Sequence, residues 1–218
     1  MTHDLAFLHT AKAHVETFQS LVDELAPTLK ANHTVNESLL HDAVSQGRIS
    51  TELQARIELA MNDAASTGSP VVVCTCSTIG GIAENITTPL FSPMRIDRAM
   101  AGTAVKSGKN ILLAAAVKST LAPTRTLLET SAHKAGARVE IHDLLISDAW
   151  QAFQSGDTDN YIDLIASKIA TNISGMDCVV LAQASMTPAA DRCAGLGIPV
   201  FSSPRLGVEA AIRSFKLK

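Results

Sequence analysis

The chain has 218 residues, 46% of them hydrophobic but only 4% aromatic, and a formal net charge of -3. That length suits one large α/β domain or two small ones, with cores packed by Ala, Val, Ile and Leu. The charge balance leaves no basic footprint for nucleic acid, and no stretch approaches the roughly 18 consecutive apolar residues of a membrane span. Met1-Thr2-His3-Asp4 carries no basic or long apolar leader, so no signal peptide is expected. Four Cys without a dense spacing framework point to a reducing, cytoplasmic setting.

Leu5 to Leu8 reads as a strand with a polar tip at His9-Thr10, followed by a helix bearing Val15, Phe18, Val22 and Leu25 that Pro27 stops. A second strand is expected within Leu29 to Val35, and a helix over Ser38 to Ser45 closed by Gly47. Thr51 with Gln54 fits a capping box for a helix whose apolar face is Leu53, Ile57, Ala60 and Met61. Val71-Val72-Val73 follows Pro70 as a strand buried on both faces and runs into Cys74-Thr75-Cys76-Ser77-Thr78. Gly80-Gly81 is expected to open a turn before a short helix at Ile82-Ala83-Glu84. Met94-Arg95-Ile96 is a short strand, and a helix from Asp97 carries Met100, Ala104 and Val105.

Asn110 to Val117 is a strong buried strand tipped by Lys118-Ser119-Thr120, with Pro123 near the start of the next helix. A strand is expected at Ala137 to His142, then helices near Asp148 to Gln154 and Thr158 to Ile173. Asp177 to Ala182 is a strand tipped by Gln183-Ala184-Ser185-Met186, and Ile198 to Phe201 is the last strand before a C-terminal helix. The alternation defines an α/β class with parallel sheets. Val71 to Thr78 and Cys178 to Thr187 share one pattern, an apolar strand, a short polar tip and a helix. The expectation is two similar lobes, each a small parallel sheet with flanking helices, pseudo-twofold related across a cleft. Residues 1–97 with 203–218 form the first lobe and 98–202 the second.

At these tips the sequence resembles the aspartate/glutamate/hydantoin racemase superfamily. Cys76-Ser77-Thr78 is similar to its Cys-Asn-Thr motif, and Val179 to Met186 is similar to its second motif, with Gln183 at the second Cys position. Phe7 to Thr10, His33 to Leu40, Met94 to Asp97, Ser119 to Thr124 and Ile198 to Arg205 extend the resemblance over nearly the whole chain. It implies a cofactor-independent isomerase or racemase acting on a small carboxylate, using no metal. It also implies a homo-oligomer, while the charge and hydropathy already argue against nucleic acid or membrane as partner.

Cys76 is the candidate acid/base, since ligands bind at the carboxyl edge of a parallel sheet and a helix start favours a thiolate. Its bland alternative is a small buried hydrophobe. Ser77, Thr78, Ser119 and Thr120 are expected to hold a carboxylate, although simple helix capping would use the same residues. Gln183, Ala184 and Ser185 form the corresponding tip. An amide there cannot supply a proton, so a one-sided decarboxylase or lyase is the alternative reaction, and a catalytically inactive carboxylate binder the alternative of another class.

His9 is the candidate substitute acid, with a hydrogen-bonded structural role beside it. His33 and Glu37 read as caps, Arg95 with Asp97 as a hinge pair or cap, and Cys74, Cys178 and Cys193 as packing. A flavodoxin-like nucleotide binder is disfavoured, because the sequence has no glycine-rich phosphate loop.

Overall fold

The computed structural model describes residues 2–217. The chain divides into two compact units, Met1–Asp97 with Pro204–Lys218, and Arg98–Ser203.

In the first unit, β1 (Leu5–His9), α1 (His14–Leu25), β2 (Ala31–Val35), α2 (Glu37–Gln46), α3 (Thr51–Ala65), β3 (Val71–Cys74), α4 (Ser77–Glu84) and β4 (Ser92–Arg95) follow in order. The strands form one parallel sheet in the order β2-β1-β3-β4. Leu5 to Leu8 and Val71 to Cys74 are fully buried, because helices cover both faces of the central strands. Ala6, Leu8, Val72, Cys74 and Cys76 pack with Leu39, Leu53, Ile57 and Met61 on one face. On the other face Phe7 packs against Phe18 of α1, with ring centroids 5.7 Å apart. Each such buried side chain contributes on the order of 1.5–3 kcal/mol.

The second unit runs through α5 (Arg98–Ser107), β5 (Asn110–Ala115), α6 (Lys118–Ala135), β6 (Glu140–Leu145), α7 (Ser147–Ser155), α8 (Thr158–Ala170), β7 (Cys178–Leu181), α9 (Thr187–Arg192) and β8 (Val200–Phe201). Its sheet is also parallel, in the order β6-β5-β7-β8. The two sheets therefore repeat one topology, with the strand order reversing between the first and third strands of each. Leu112, Ala114, Val179 and Leu181 pack with Tyr161, Ile165 and Ile169 of α8. Finally α10 (Ser203–Lys216) completes the described chain.

Four local expectations are corrected. The cap of α3 is Ser50, whose hydroxyl accepts from Leu53 N–H, so Thr51 lies inside the helix. Gly80 and Gly81 do not open a turn but lie within α4, where a Cβ on residue 80 would come within 3.2 Å of the Arg95 side chain. Lys118, Ser119 and Thr120 are the first turn of α6 rather than a loop, and Pro123 is inside that helix. The sixth strand starts at Glu140 rather than Ala137. Gly136 ends α6 in the left-handed conformation at φ 63°, Ala137 N–H turns back to Ala132 O, and the chain needs the next residues to reach the sheet.

Gly207 of α10 packs directly on the Ile96 backbone carbonyl. An added methyl there has no flexible neighbour to displace. Gly207→Ala is expected to cost about 1–3 kcal/mol by urea denaturation, whereas Gly102→Ala, in open space on α5, should cost nothing measurable.

Candidate active site

In each sheet the carboxyl edge between the first and third strands is the place where the helices diverge and a ligand can approach. The first sheet puts Cys76 there. Leu8 and Cys74 are the last registered pair of β1 and β3, and Thr75 N–H donates to Leu8 O at 3.0 Å. Cys76 is the next residue, extended at φ -99° and ψ 116°, and it caps the start of α4. It is 8% exposed, with Ser77 and Thr78 buried in the first helical turn behind it. Cys74 is fully buried, and its S–H donates to Cys76 O at 3.6 Å. Burial pushes the pKa of Cys74 up, and does the same to Cys178, to about 11, and to Cys193.

The second sheet repeats this backbone. Ala114 and Leu181 are the last registered pair of β5 and β7, and Ala182 N–H donates to Ala114 O at 2.9 Å. The residue after Ala182 is Gln183, extended at φ -122° and ψ 141°. By register, Gln183 thus holds in its sheet the position that Cys76 holds in the other. Its Oε1 accepts from Ala116 N–H at 2.7 Å and Val117 N–H at 3.2 Å. The side-chain carbonyl ties the third strand's tip to the first, and this fixes the entry into α6. Ser119 Oγ in the first turn of α6 is buried and has no partner among the described residues, and Thr120 beside it is 3% exposed. Ala184 and Ser185 form a short 3-10 turn. Ala184 O accepts from Thr187 Oγ1, and Ser185 Oγ lies 2.8 Å from the Tyr161 hydroxyl. Burial raises the Tyr161 pKa to about 12, with the Ser185 hydrogen bond opposing.

His9 is not brought to the thiol. Cys76 packs with Leu8 and Cys74 on one face, whereas the His9 ring stacks among Phe7, Phe18, His14 and His33 on the other. Both its nitrogens are bonded, Nδ1 to Thr75 Oγ1 and Nε2 to His33 Nδ1, each at 2.9 Å. Burial, then His33 and His14, lower its pKa to about 3, so the ring is neutral near pH 7.

Arg95 and Asp97 form a buried ion pair at the point where the first unit's run Met1–Asp97 ends. Arg95 Nε and Nη2 donate to Asp97 at 2.6 and 2.9 Å, and Nη2 also reaches Ser77 O at 3.4 Å. Arg95 is 4% exposed and Asp97 not at all. The guanidinium lies along the first turns of α4 and braces the helix that Cys76 heads. Burial alone would lower the Arg95 pKa, but the charge and hydrogen bonds of Asp97 outweigh it, and the net shift is upward. Sequence reasoning missed this brace; its one visible sign was the Gly80-Gly81 pair. Among the described residues no cluster of His, Cys, Asp and Glu could hold a metal ion.

Comparison of the sequence with models of known families gives no match, and neither does comparison with curated proteins. Solved structures do match. An aspartate racemase from Picrophilus torridus superposes with a TM-score of 0.74 at 15% identity, over 99% of this chain and 95% of that one. For a glutamate racemase from Bacillus anthracis the TM-score is 0.73 at 13% identity, covering 99% and 82%. An allantoin racemase from Pseudomonas fluorescens gives 0.62 at 15%, covering 98% and 90%. The fold is the one that these three racemases share.

Proposed function

We propose that the protein is a cofactor-independent enzyme of the isomerase class that moves a proton beside the carboxylate of a small acid, with Cys76 as acid/base. The observation that carries this reading is the place of Cys76, at the head of α4 on the edge between β1 and β3, in a fold shared with amino-acid racemases. In the forward step the Cys76 thiolate takes the proton, and the C–H electrons move into the carboxylate to give an enediolate. Return of that proton from sulfur to the same face restores the starting acid, so net isomerisation requires a second acid on the opposite face. Ser77 and Thr78, with the amides of the α4 start, stabilise the developing charge, and Ser119 and Thr120 are the hydroxyls of the equivalent tip.

Gln183 favours a second reaction on the same residues. An amide cannot deliver a proton, and its carbonyl is committed to two backbone N–H groups. The position of the second sheet that matches Cys76 therefore carries no acid. One-sided decarboxylation fits this asymmetry. The C–C bond to the leaving carboxylate breaks, CO2 departs, the electrons pass to the remaining carbonyl, and the Cys76 thiol protonates the carbon.

Proton NMR in D2O tests both readings with aspartate, glutamate, hydantoins, maleate and substituted malonates. Wild type is expected to exchange an α proton or release CO2, and Cys76→Ala to slow this about 10²- to 10⁴-fold. Equal turnover by Cys76→Ala would refute the thiol mechanism. A racemic product would refute one-sided protonation. Binding of an acid with no turnover across the panel would replace the enzyme by a carboxylate-binding protein.

A further inference from the structure

A chain of side chains crosses the first unit at the carboxyl end of its sheet. Gln19 Nε2 donates to Asp23 Oδ1 at 2.7 Å, which turns Gln19 Oε1 toward His33 Nε2, 3.0 Å away. An amide oxygen accepts only, so His33 carries a proton on Nε2. His33 Nδ1 faces His9 Nε2, His9 Nδ1 faces Thr75 Oγ1, and the Thr75 hydroxyl also lies 3.1 Å from Leu8 O. This inventory allows two proton arrangements.

In the first, both histidines are neutral. His9 Nε2–H donates to His33 Nδ1, and the Thr75 hydroxyl donates to His9 Nδ1. Leu8 O is still satisfied by Thr75 N–H. In the second, His33 holds one more proton, on Nδ1. It then donates to His9 Nε2, His9 carries its single proton on Nδ1 and donates it to Thr75, and the Thr75 hydroxyl turns to Leu8 O. The additional proton comes from water at His33, which is half-exposed; His9 stays neutral in both arrangements.

We propose that Gln19, His33, His9 and Thr75 are positioning residues forming a two-state relay, through which protonation of His33 reorganises the tip of β3 that carries Cys76. The proposal takes its meaning from the reading of Cys76 as the working thiol. The groups facing the relay are few. From α1 they are Asp23, His14 and Glu16, from the segment before it Lys12, and from β1 His9; Lys12 and Glu16 line one surface with Gln19, and α3 covers the opposite face of the sheet through uncharged Leu53, Ile57 and Met61. Burial lowers the His33 pKa and Asp23 partly restores it, while His9 resists protonation to about pH 3. His33 is therefore the member that charges first on acidification.

The test is a two-bond ¹H–¹⁵N correlation series on histidine-labelled protein between pH 8 and pH 4. The expected result is His9 protonated on Nε2 at high pH and on Nδ1 at low pH, changing over at the pH where His33 becomes doubly protonated. Asp23→Asn, at an exposed site, should move both changes together to lower pH. The alkylation rate of Cys76 should show a break at the same pH, because the Thr75 hydroxyl next to it in sequence changes partner from His9 to Leu8 O. Thr75→Val, which cannot make that exchange of partners, should remove the break. A His9 tautomer that stays fixed while His33 titrates, or a Cys76 rate profile with no break at that pH, would overturn the relay. Neither readout uses a substrate, so its failure is separable from failure of the proposed reaction.

Discussion

Lowering the pH from 7 to 5 is expected to cost the protein roughly 2 kcal/mol of stability through His9 alone. The ordinary His pKa of 6.5 applies to the unfolded chain, and burial lowers it to about 3 in the fold. Between those values the unfolded state holds a proton that the folded state excludes, so stability falls as pH falls. The slope is about 1.4 kcal/mol per pH unit, beginning near 6.5 and levelling near 3. His14 adds to it, because both its ring nitrogens are buried without a partner among the described residues and its pKa is lowered by burial. His33 acts in the same direction. The carboxylates held low by hydrogen bonds, Asp42 by Arg56 and Asp177 by the Lys109 and Asn110 amides, lose their contribution only below their usual range, so the windows separate. Urea midpoints at pH 7, 6 and 5 check this. His9→Phe should be less stable at pH 7 but flatter with pH by about one proton's slope. A wild-type midpoint unchanged from 7 to 5 would show that the histidine cluster is hydrated.

Arg95→Ala should be the most damaging single change near the thiol, at about 3–5 kcal/mol. It leaves the fully buried Asp97 carboxylate without its bidentate partner, and removes the strut that lies against Gly80 and reaches Ser77 O. Arg95→Lys cannot restore both bonds, because an ammonium lacks the planar fork. Replacing both partners, Arg95→Met with Asp97→Leu, should recover most of the loss, since no charge then remains buried. The check is a double-mutant cycle in denaturant. A loss below 1 kcal/mol for Arg95→Ala would mean that water reaches Asp97 and the pair is not a brace.

Much of this fold follows from local pattern. Continuous apolar runs such as Leu5 to Leu8, Val71 to Val73 and Ile111 to Ala115 can bury both faces only in a parallel sheet covered by helices, and the alternating helical stretches supply the cover. The place of Cys76 was legible for the same reason, because an apolar strand that turns polar and small before a helix marks the carboxyl edge. Of the element ends that failed, the α3 cap and the β6 start were decided by local hydrogen bonds, Leu53 N–H to Ser50 and Ala137 N–H to Ala132 O. The glycine at position 80 leaves room beside α4 for Arg95, fifteen residues on, and nothing in the local sequence announces that contact.

Side-chain roles divide along the same line. The sequence puts Gln183 at a strand tip, and residue type alone says that an amide cannot give a proton. Only the register of β7 on β5 showed that its carbonyl closes on Ala116 and Val117. Sequence alone put His9 at a strand tip, but the alternation of neighbouring side chains, set by pairing with both β2 and β3, turned it away from Cys76 and into contact with His33 and Thr75. Residue type fixes what chemistry a side chain can do. Which partners it meets depends on strands far apart in the chain, and those meet only once the sheet has formed.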